Sequence, residues 1–455
     1  MSWPEQPVLY EVNTAVWLGE LSRAADRTVT LGDVPPSAWR EVTPAGVDAV
    51  WLMGVWERSP LGLEMANADP GLRASFHEAL PDLRTEDVLG SPYCVRRYVV
   101  AEEFGGDEGL AKARAELAVR GVRLVLDHVP NHVAPDHPWV AGHPEFFVRG
   151  EDGEIELGRD PYFPAWPDVL QLDAFAPAYR AAATATLGSV AARCDGIRCD
   201  MAMLVTNEVF ARTWGRTPPE RDFWPEVVGG LRERHPETVL IAEAYWDMEW
   251  SLQQQGFDFC YDKRLYDRLV GGGDVRGHLR ADPEYQAELL RFLENQDEPR
   301  IAGELGQEAA KAAAVVIATL PGATLWHKGQ FEGGRVRPPV FLARRPDEPP
   351  DHDLAAWYRR LLALAAEVRR GEWRLLDAQG WPDNQSCRRL LTWSWTAAGT
   401  THVVVVNYSD RPAQGLLPVR VRRYTDLLDG TVREQDLSPL YVALEPWGCH
   451  LFAVA

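Results

Sequence analysis

Residues Asp107–His132 read DEGLAKARAELAVRGVRLVLDHVPNH, a helix-like stretch rich in Ala, Leu and Arg, then a glycine, then an apolar β-branched run that ends in polar residues. Helical period followed by a short buried strand is the unit of a parallel α/β fold. The same unit recurs along the chain. Strand-like runs begin at Val8 (VLYEVNTAVW), Gly46 (GVDAVWLM), Gly121 (GVRLVLDHV), Cys194 (CDGIRCD), Thr238 (TVLIAEAYW), Gly256 (GFDFCYD), Leu289 (LLRFLENQD) and Gly322 (GATLWHKG). Helix-like segments such as PAYRAAATATLGSVAAR and PEVVGGLRERH separate them. Eight such units predict a (β/α)8 barrel over residues 1–370, ending in a helix from about Asp351 to Arg370.

Two regions break the pattern. Residues 133–177 follow the third strand and are rich in Pro, Gly, Trp and Phe, so they read as a short inserted domain between strand 3 and helix 3; Trp139, Phe163 and Trp166 are expected to form its core. From residue 371 the helical period disappears. The text LLTWSWTAAGTTHVVVVNYSD and LYVALEPWGCHLFAVA alternates between turns, and residues 371–455 are expected to form a C-terminal antiparallel β-domain, a β-sandwich.

Composition narrows the partners. The chain has 455 residues with 47 basic and 67 acidic side chains, a formal charge of −20. Such a field repels phosphate backbones and anionic headgroups, so neither nucleic acid nor a membrane surface is an expected partner, and a neutral ligand fits better. The longest uncharged apolar stretch, Ala312–Trp326, is 15 residues and contains Pro321, too short for a membrane span. No secretory pattern opens the chain, so a cytoplasmic location is expected. The six cysteines form no C-x-x-C pair and read as buried free thiols. Eighteen tryptophans suit both cores and stacking on sugar rings.

In a parallel barrel the reactive groups lie at the C-terminal ends of the strands. Strand 3 ends in Asp127, with Asn131 and His132 beyond it; strand 4 ends in Arg198 and Asp200; strand 5 in Glu243; strand 7 in Glu294, Asn295, Gln296 and Asp297. Arg198 and Asp200 are two apart, so they leave one face of the strand and the guanidinium can hold the carboxylate ionised as a nucleophile. Glu243 ends the apolar run Val239–Ala242, a setting that favours the protonated acid and hence a general acid. Two carboxyls with opposed roles are what a retaining glycosidase needs. Asp297, across the mouth, is the third acid, expected to hold sugar hydroxyls and help distort the ring.

These residues also carry a resemblance. LDHVPNH (Leu126–His132), GIRCDMAM (Gly196–Met203), LIAEAYW (Leu240–Trp246) and FLENQD (Phe292–Asp297) occur in order, and the chain resembles the α-amylase family, glycoside hydrolase family 13, over nearly its whole length. The resemblance implies Asp200 as nucleophile, Glu243 as acid/base, Asp297 as transition-state stabiliser and Arg198 beside the nucleophile. It implies Asp127, Asn131 and His132 as strand-3 support and a hydroxyl contact, and, through SPYCVRRY, Tyr93 under the sugar ring. Asn295, Gln296 and Trp246 complete the expected substrate contacts. The sequence departs from the family at Gln296, where a histidine is usual, at Met203 and Leu204, where a Lys-His pair is usual, and at Cys94, where an aspartate is usual. No cofactor is expected. A structural calcium is a family feature, and Asn131 is the one candidate ligand.

The function expected from this reading is a retaining α-glycoside hydrolase acting on α-linked oligosaccharides or small α-glucosides. The alternatives are a transglycosylase or trehalose-forming isomerase using the same intermediate, for which apolar Met203 and Leu204 near the acceptor would exclude water, and a non-catalytic sugar-binding barrel.

Overall fold

A computed structural model describes residues 2–454. Strands β1 (Val8–Asn13), β2 (Ala49–Met53), β3 (Arg123–His128), β4 (Gly196–Cys199), β5 (Val239–Ala242), β6 (Phe259–Tyr261), β7 (Leu289–Phe292) and β8 (Ala323–His327) close into one parallel barrel, each beside its chain neighbour and β8 beside β1. All eight runs identified in the sequence are barrel strands. Alternation along each strand sorts the side chains. Leu9, Trp51, Val125, Ile241, Tyr261, Phe292 and Leu325 fill the interior. Tyr10, Val50, Leu124, Ile197 and Leu240 face outward into the main core that the surrounding helices cover. Trp3 plugs the N-terminal end of the barrel. A Cβ on Gly196 would come within 3.0 Å of its ring, so the first residue of β4 is one with no side chain.

Register then sets the height of the polar residues. Asp127 pairs with Arg198 between β3 and β4, and Arg198 pairs with Ile241 between β4 and β5. Two residues further on, Asp200 and Glu243 emerge on the inner face, one from each strand. The acids therefore gather because the interior parity of three adjacent strands is in phase.

Two helices, Pro60–Ala68 and Pro70–Ala79, and a short hairpin of Trp56–Arg58 with Val95–Val100 lie between β2 and the helix before β3. The hairpin brings Tyr93 to the mouth. Residues 133–177 hold a three-stranded sheet in the order His132–Val133, Trp166–Gln171, Leu157–Gly158. Trp139 packs edge-on against Phe146 (5.2 Å) and Tyr179 (6.2 Å), as a core residue of this segment should. Phe163 does not: it is 67% exposed, because Asp160 Oδ1 accepts the backbone N–H groups of Tyr162 and Phe163 and turns the tip outward. Trp166 faces the barrel mouth.

The last barrel helix spans His352–Val368. Strands β9 (Glu372–Leu375), β10 (Leu390–Ala397), β11 (Thr400–Asn407), β12 (Ala413–Asp426), β13 (Val432–Leu444) and β14 (Cys449–Val454) follow in a single antiparallel sheet of order β9-β10-β11-β14-β12-β13. Where two separate sheets were expected, there is one continuous sheet, curled so that Leu390, Val403 and Val405 share an apolar cluster with Leu417, Leu440 and Val442. The alternate residues Trp393, Trp395, Val404 and Leu451 join the barrel core. Both indoles donate to one carbonyl, Thr319 O, at 3.1 and 2.8 Å. Seven tryptophans, Trp17, Trp39, Trp51, Trp56, Trp224, Trp326 and Trp393, are fully buried, so much of the aromatic surplus is core rather than sugar platform.

Candidate active site

Arg198 is the hub of the barrel mouth. It is 1% exposed, and its two terminal nitrogens go to different acids: Nη1 to Asp200 Oδ1 at 2.8 Å and Nη2 to Glu243 Oε2 at 2.7 Å. Asp127 Oδ1 lies 3.4 Å from Nη1. Trp51, Tyr93 and Tyr261 place their rings 5.2, 5.2 and 5.8 Å from the guanidinium carbon. Those rings exclude water and leave the cation to the carboxylates. Asp127 is fixed by Trp51 Nε1 (3.1 Å) and the Gly54 N–H (3.3 Å), so it supports Arg198 from beneath.

The sequence reading gave Arg198 to Asp200 alone. Sharing changes the electrostatics. Burial pushes the Asp200 carboxyl well above its usual range, with Glu243, Asp127 and Asp297 adding to the rise and Arg198 opposing it. Burial also raises Asp127, and raises Glu11 strongly. Asp297 sits exposed at the mouth, yet its low-dielectric surroundings and the Glu243 charge push its carboxyl up to about 7. Five acids thus gather around this mouth, and four of them, Asp200, Asp127, Glu11 and Asp297, hold protons that isolated carboxyls would release.

Glu243 is oriented by three donors. Its Oε2 accepts Arg198 and the Met201 N–H at 2.6 Å, and its Oε1 meets Tyr245 Oη at 3.0 Å. Met201 aims its amide at Oε2 from a left-handed backbone, φ 44°, a conformation non-glycine residues seldom adopt. A proton on Glu243 therefore has only Oε1 to occupy. Asp200, Glu243 and Asp297 all line one cavity of about 340 Å³, together with Tyr93, His132 and Trp166. Burial pulls His132 down to about 4, so its imidazole is neutral and can share hydrogen bonds with hydroxyl groups, while Trp166 meets its ring edge-on at 5.3 Å.

Other expected contacts fall elsewhere. Asn295 is fully buried, and its Oδ1 accepts the N–H groups of Asp297 and Glu298, both at 2.9 Å; it shapes the turn that presents Asp297 and does not reach the cavity. Gln296 donates from Nε2 to Asp297 Oδ2 at 2.7 Å and faces a neighbouring crevice with Asn13, Arg300 and His327, so it acts on Asp297 rather than on the cavity. Trp246 stands back from the cavity lining and packs edge-on to Tyr162 at 4.8 Å. Met203 and Leu204 are 0% and 2% exposed within the main core, so they cannot shield an acceptor. Met201 lines the cavity instead.

Residues the sequence reading missed include Glu11, Tyr245, Asp168 and Phe341. Glu11 lies within β1, two residues beyond the interior Leu9 and on the same face, and was signalled by an acid interrupting an apolar run. Phe341 comes from the segment after β8 and reaches the cavity because its carbonyl accepts the Leu89 N–H at 2.8 Å.

The residues around Asn131 do not fit a structural calcium. Asn131 Oδ1 accepts Gln171 Nε2 at 2.9 Å, and the same nitrogen lies 2.9 Å from Asn131 O and 3.0 Å from Leu172 O. Those oxygens already serve an amide. Among the described residues no group of three or more His, Cys, Asp or Glu side chains could hold a metal ion. Cys94 Sγ, at the family's aspartate position, donates to Asp168 O at 3.0 Å, and burial pushes its thiol up, so it stays neutral.

Comparison with known proteins agrees with the fold. The chain is 27% identical to the α-amylase MalA of Haloarcula japonica across 95% of this chain and 59% of that protein, so it spans about three-fifths of that relative's length. A shorter match, 26% identical over 38% of this chain and 15% of the other, is to an α-1,4-glucan:maltose-1-phosphate maltosyltransferase of Burkholderia pseudomallei. Among solved structures, an α-amylase from Lactobacillus plantarum superposes with a TM-score of 0.72 at 20% identity, covering 99% of both chains. An Anoxybacillus α-amylase gives 0.74 at 16% identity, covering 100% of this chain and 99% of that one. No protein-family model matches the chain. With the four ordered motifs on β3, β4, β5 and β7 and the closed barrel followed by a C-terminal sheet, the chain has the fold of these α-amylases and is similar in sequence to MalA across 95% of its length.

Proposed function

We propose that the protein is a retaining α-glycoside hydrolase acting on α-glucosides or malto-oligosaccharides. The observation that carries this reading is the single guanidinium that grips Asp200 and Glu243 from adjacent strands while both open onto the same cavity as Asp297. Retaining enzymes need their two carboxyls about 5–5.5 Å apart, closer than the spacing that admits a water between them, and one shared Arg fork favours the closer spacing.

In the reactive state Asp200 is ionised against Arg198, and Glu243 carries its proton on Oε1, the oxygen left free by Arg198 and the Met201 amide. Asp200 attacks the anomeric carbon as Glu243 gives that proton to the departing glycosidic oxygen. Glu243, now ionised, takes a proton from water, which attacks the anomeric carbon and releases Asp200. Asp297, aimed by Gln296 and the Asn295 turn, holds ring hydroxyls. Tyr93 offers its ring as the floor, and neutral His132 hydrogen-bonds a hydroxyl. Met203 and Leu204 lie in the core, so the apolar shield that would have favoured transfer over hydrolysis is not supplied by them.

The test is hydrolysis of an activated aryl α-glucoside and of maltotriose by the native protein, Asp200→Asn and Glu243→Gln, with the product anomer followed by NMR. The α-anomer should appear first from the native protein, and both variants should lose at least about a thousandfold in kcat. Unchanged rates in either variant, or the β-anomer as first product, would overturn the assignment.

A further inference from the structure

We propose that the side-chain amide of Gln171 takes the place of a structural cation in this chain, pinning the 133–177 segment to the end of β3 and so positioning His132 without metal. Gln171 is fully buried and sits opposite His132 in the ladder that joins His132–Val133 to Trp166–Gln171. Its Nε2 is surrounded by three oxygens, Asn131 O and Asn131 Oδ1 at 2.9 Å and Leu172 O at 3.0 Å. Three converging oxygens from two chain segments are what a hard cation would seek, but calcium binds oxygen at about 2.3–2.6 Å and also wants carboxylate charge. Here the centre of the cradle is a nitrogen at hydrogen-bond length, and the oxygens are one amide and two peptide carbonyls.

The other end of the side chain completes the tie. Gln171 Oε1 accepts the Arg159 N–H at 3.3 Å and lies 3.4 Å from Asn131 Nδ2. One neutral group thereby joins the end of β3, the returning strand and the turn before the exposed Tyr162–Phe163 tip. Two carboxylates of this segment that could otherwise supply charge are engaged. Asp160 holds the amides of that tip, and Asp173 pairs with Arg216 at 2.7 Å while accepting the Phe175 N–H at 3.0 Å. Asn131 Nδ2 lies 3.4 Å from His132 Nδ1, so a shift of the cradle moves the imidazole that lines the cavity. Gln171 is on this argument a positioning residue: it touches no substrate but fixes a residue that faces it.

The test compares thermal denaturation in EDTA and in millimolar Ca²⁺ for the native protein, Gln171→Ala and Gln171→Asp, with metal content measured by mass spectrometry and KM and kcat measured on an aryl α-glucoside. The native protein should carry less than a tenth of an equivalent of calcium, and its Tm should be the same in both buffers. Gln171→Ala should lose several degrees in both buffers and raise KM several-fold with a smaller change in kcat. Gln171→Asp, which shortens the side chain and adds a carboxylate beside the three oxygens, should be destabilised in EDTA and recover in Ca²⁺, a response that a merely structural glutamine would not create. A native Tm that falls in EDTA and returns with Ca²⁺, stoichiometric calcium in the purified protein, or an unchanged Tm in Gln171→Ala would each overturn the proposal; the first two need no variant to fold.

Discussion

Replacing Arg198 tests whether one cation governs the cluster. The guanidinium nitrogen and the Asp200 oxygen are 2.8 Å apart, which puts the charge centres about 4 Å apart. At an effective dielectric of about 20 that separation is worth about 4 kcal/mol, or about three pH units on the Asp200 carboxyl, as a ceiling. Glu243 and Asp127 share the cation, and Asp127 can take up a proton when it leaves, so a displacement of about one to two units is expected. The sign follows from the chemistry. Removing the positive charge raises Asp200 further, attack requires the ionised form, and the acid limb of kcat/KM against pH must therefore move to higher pH in Arg198→Gln. Arg198→Lys keeps the charge but cannot bond two acids at once, so its limb should stay near the native position while kcat/KM falls by about a hundredfold, the loss typical of one aimed donor. Leaving buried acids unpaired should cost Arg198→Gln about 3–5 kcal/mol of stability. Carboxyls whose folded pKa is raised destabilise the fold as pH rises above their unfolded values, so this loss should be smaller in acid than at neutral pH. The assay is initial rates on an aryl α-glucoside across pH, with thermal denaturation of each variant at the same pH values. An unmoved limb in Arg198→Gln, or an equal shift in Arg198→Lys, would show that Arg198 does not set the ionisation of the nucleophile.

Glu11 is fully buried with neither oxygen hydrogen-bonded, and burial holds its carboxyl well above 4.5. Its folded pKa exceeds its unfolded one, so its cost appears as pH rises past the unfolded value; the Tm gain of Glu11→Gln should grow from acid to mildly alkaline pH, and a gain flat with pH would refute this. Phe163→Ala, at the exposed tip beside Tyr162 and Trp246, should raise KM for maltotriose several-fold while leaving aryl glucoside kinetics and Tm unchanged, which steady-state assays on the two substrates will separate. Trp395→Phe removes the 2.8 Å bond to Thr319 O and part of a buried ring and should cost about 1–3 kcal/mol in urea unfolding, with kcat unaltered because the loss lies at the far side of the barrel helix.

The barrel was legible because its strands are buried on both faces. Runs such as Val239–Ala242 and Leu124–Leu126 are continuously apolar and stop abruptly at a charge, a pattern that surface strands do not share. The acids at the mouth were legible for the same reason, since a strand end in a barrel is also a position at the mouth. Lateral relations were not legible. That Arg198 reaches Glu243 as well as Asp200 depends on the β4–β5 register, which pairs Arg198 with Ile241, and nothing along either strand encodes that pairing. Loop paths were equally hidden: Phe341 enters the cavity through a backbone bond to Leu89, more than two hundred residues away in the chain. Met203 and Leu204 were misplaced because the 3₁₀ turn Ala202–Val205 folds them into the core and leaves Met201 at the cavity. Phe163 was misplaced because an aspartate side chain, not apolar pattern, sets the direction of its turn.

The choice of arginine at position 198 follows from the same geometry. Asp200 lies two residues beyond Arg198 on β4, and Glu243 lies two beyond Ile241, the β5 partner of Arg198. The two acids therefore stand at one height on neighbouring strands, and a group midway between them must offer two donors pointing in different directions. A planar fork does so and an ammonium does not. Water could satisfy the fork instead, but Trp51, Tyr93 and Tyr261 surround it, and Trp51 in turn is held by Asp127 through its indole nitrogen. With hydration excluded, the fork is left to Asp200, Glu243 and Asp127, and among the described residues it is the cation with which these three pair. Crowding several buried acids around one guanidinium is a poor arrangement for stability, as the upward shifts of Asp200, Asp127 and Glu11 record. It suits double displacement, in which one acid must be ionised while its neighbour holds a proton and the two must exchange that condition within a single turnover.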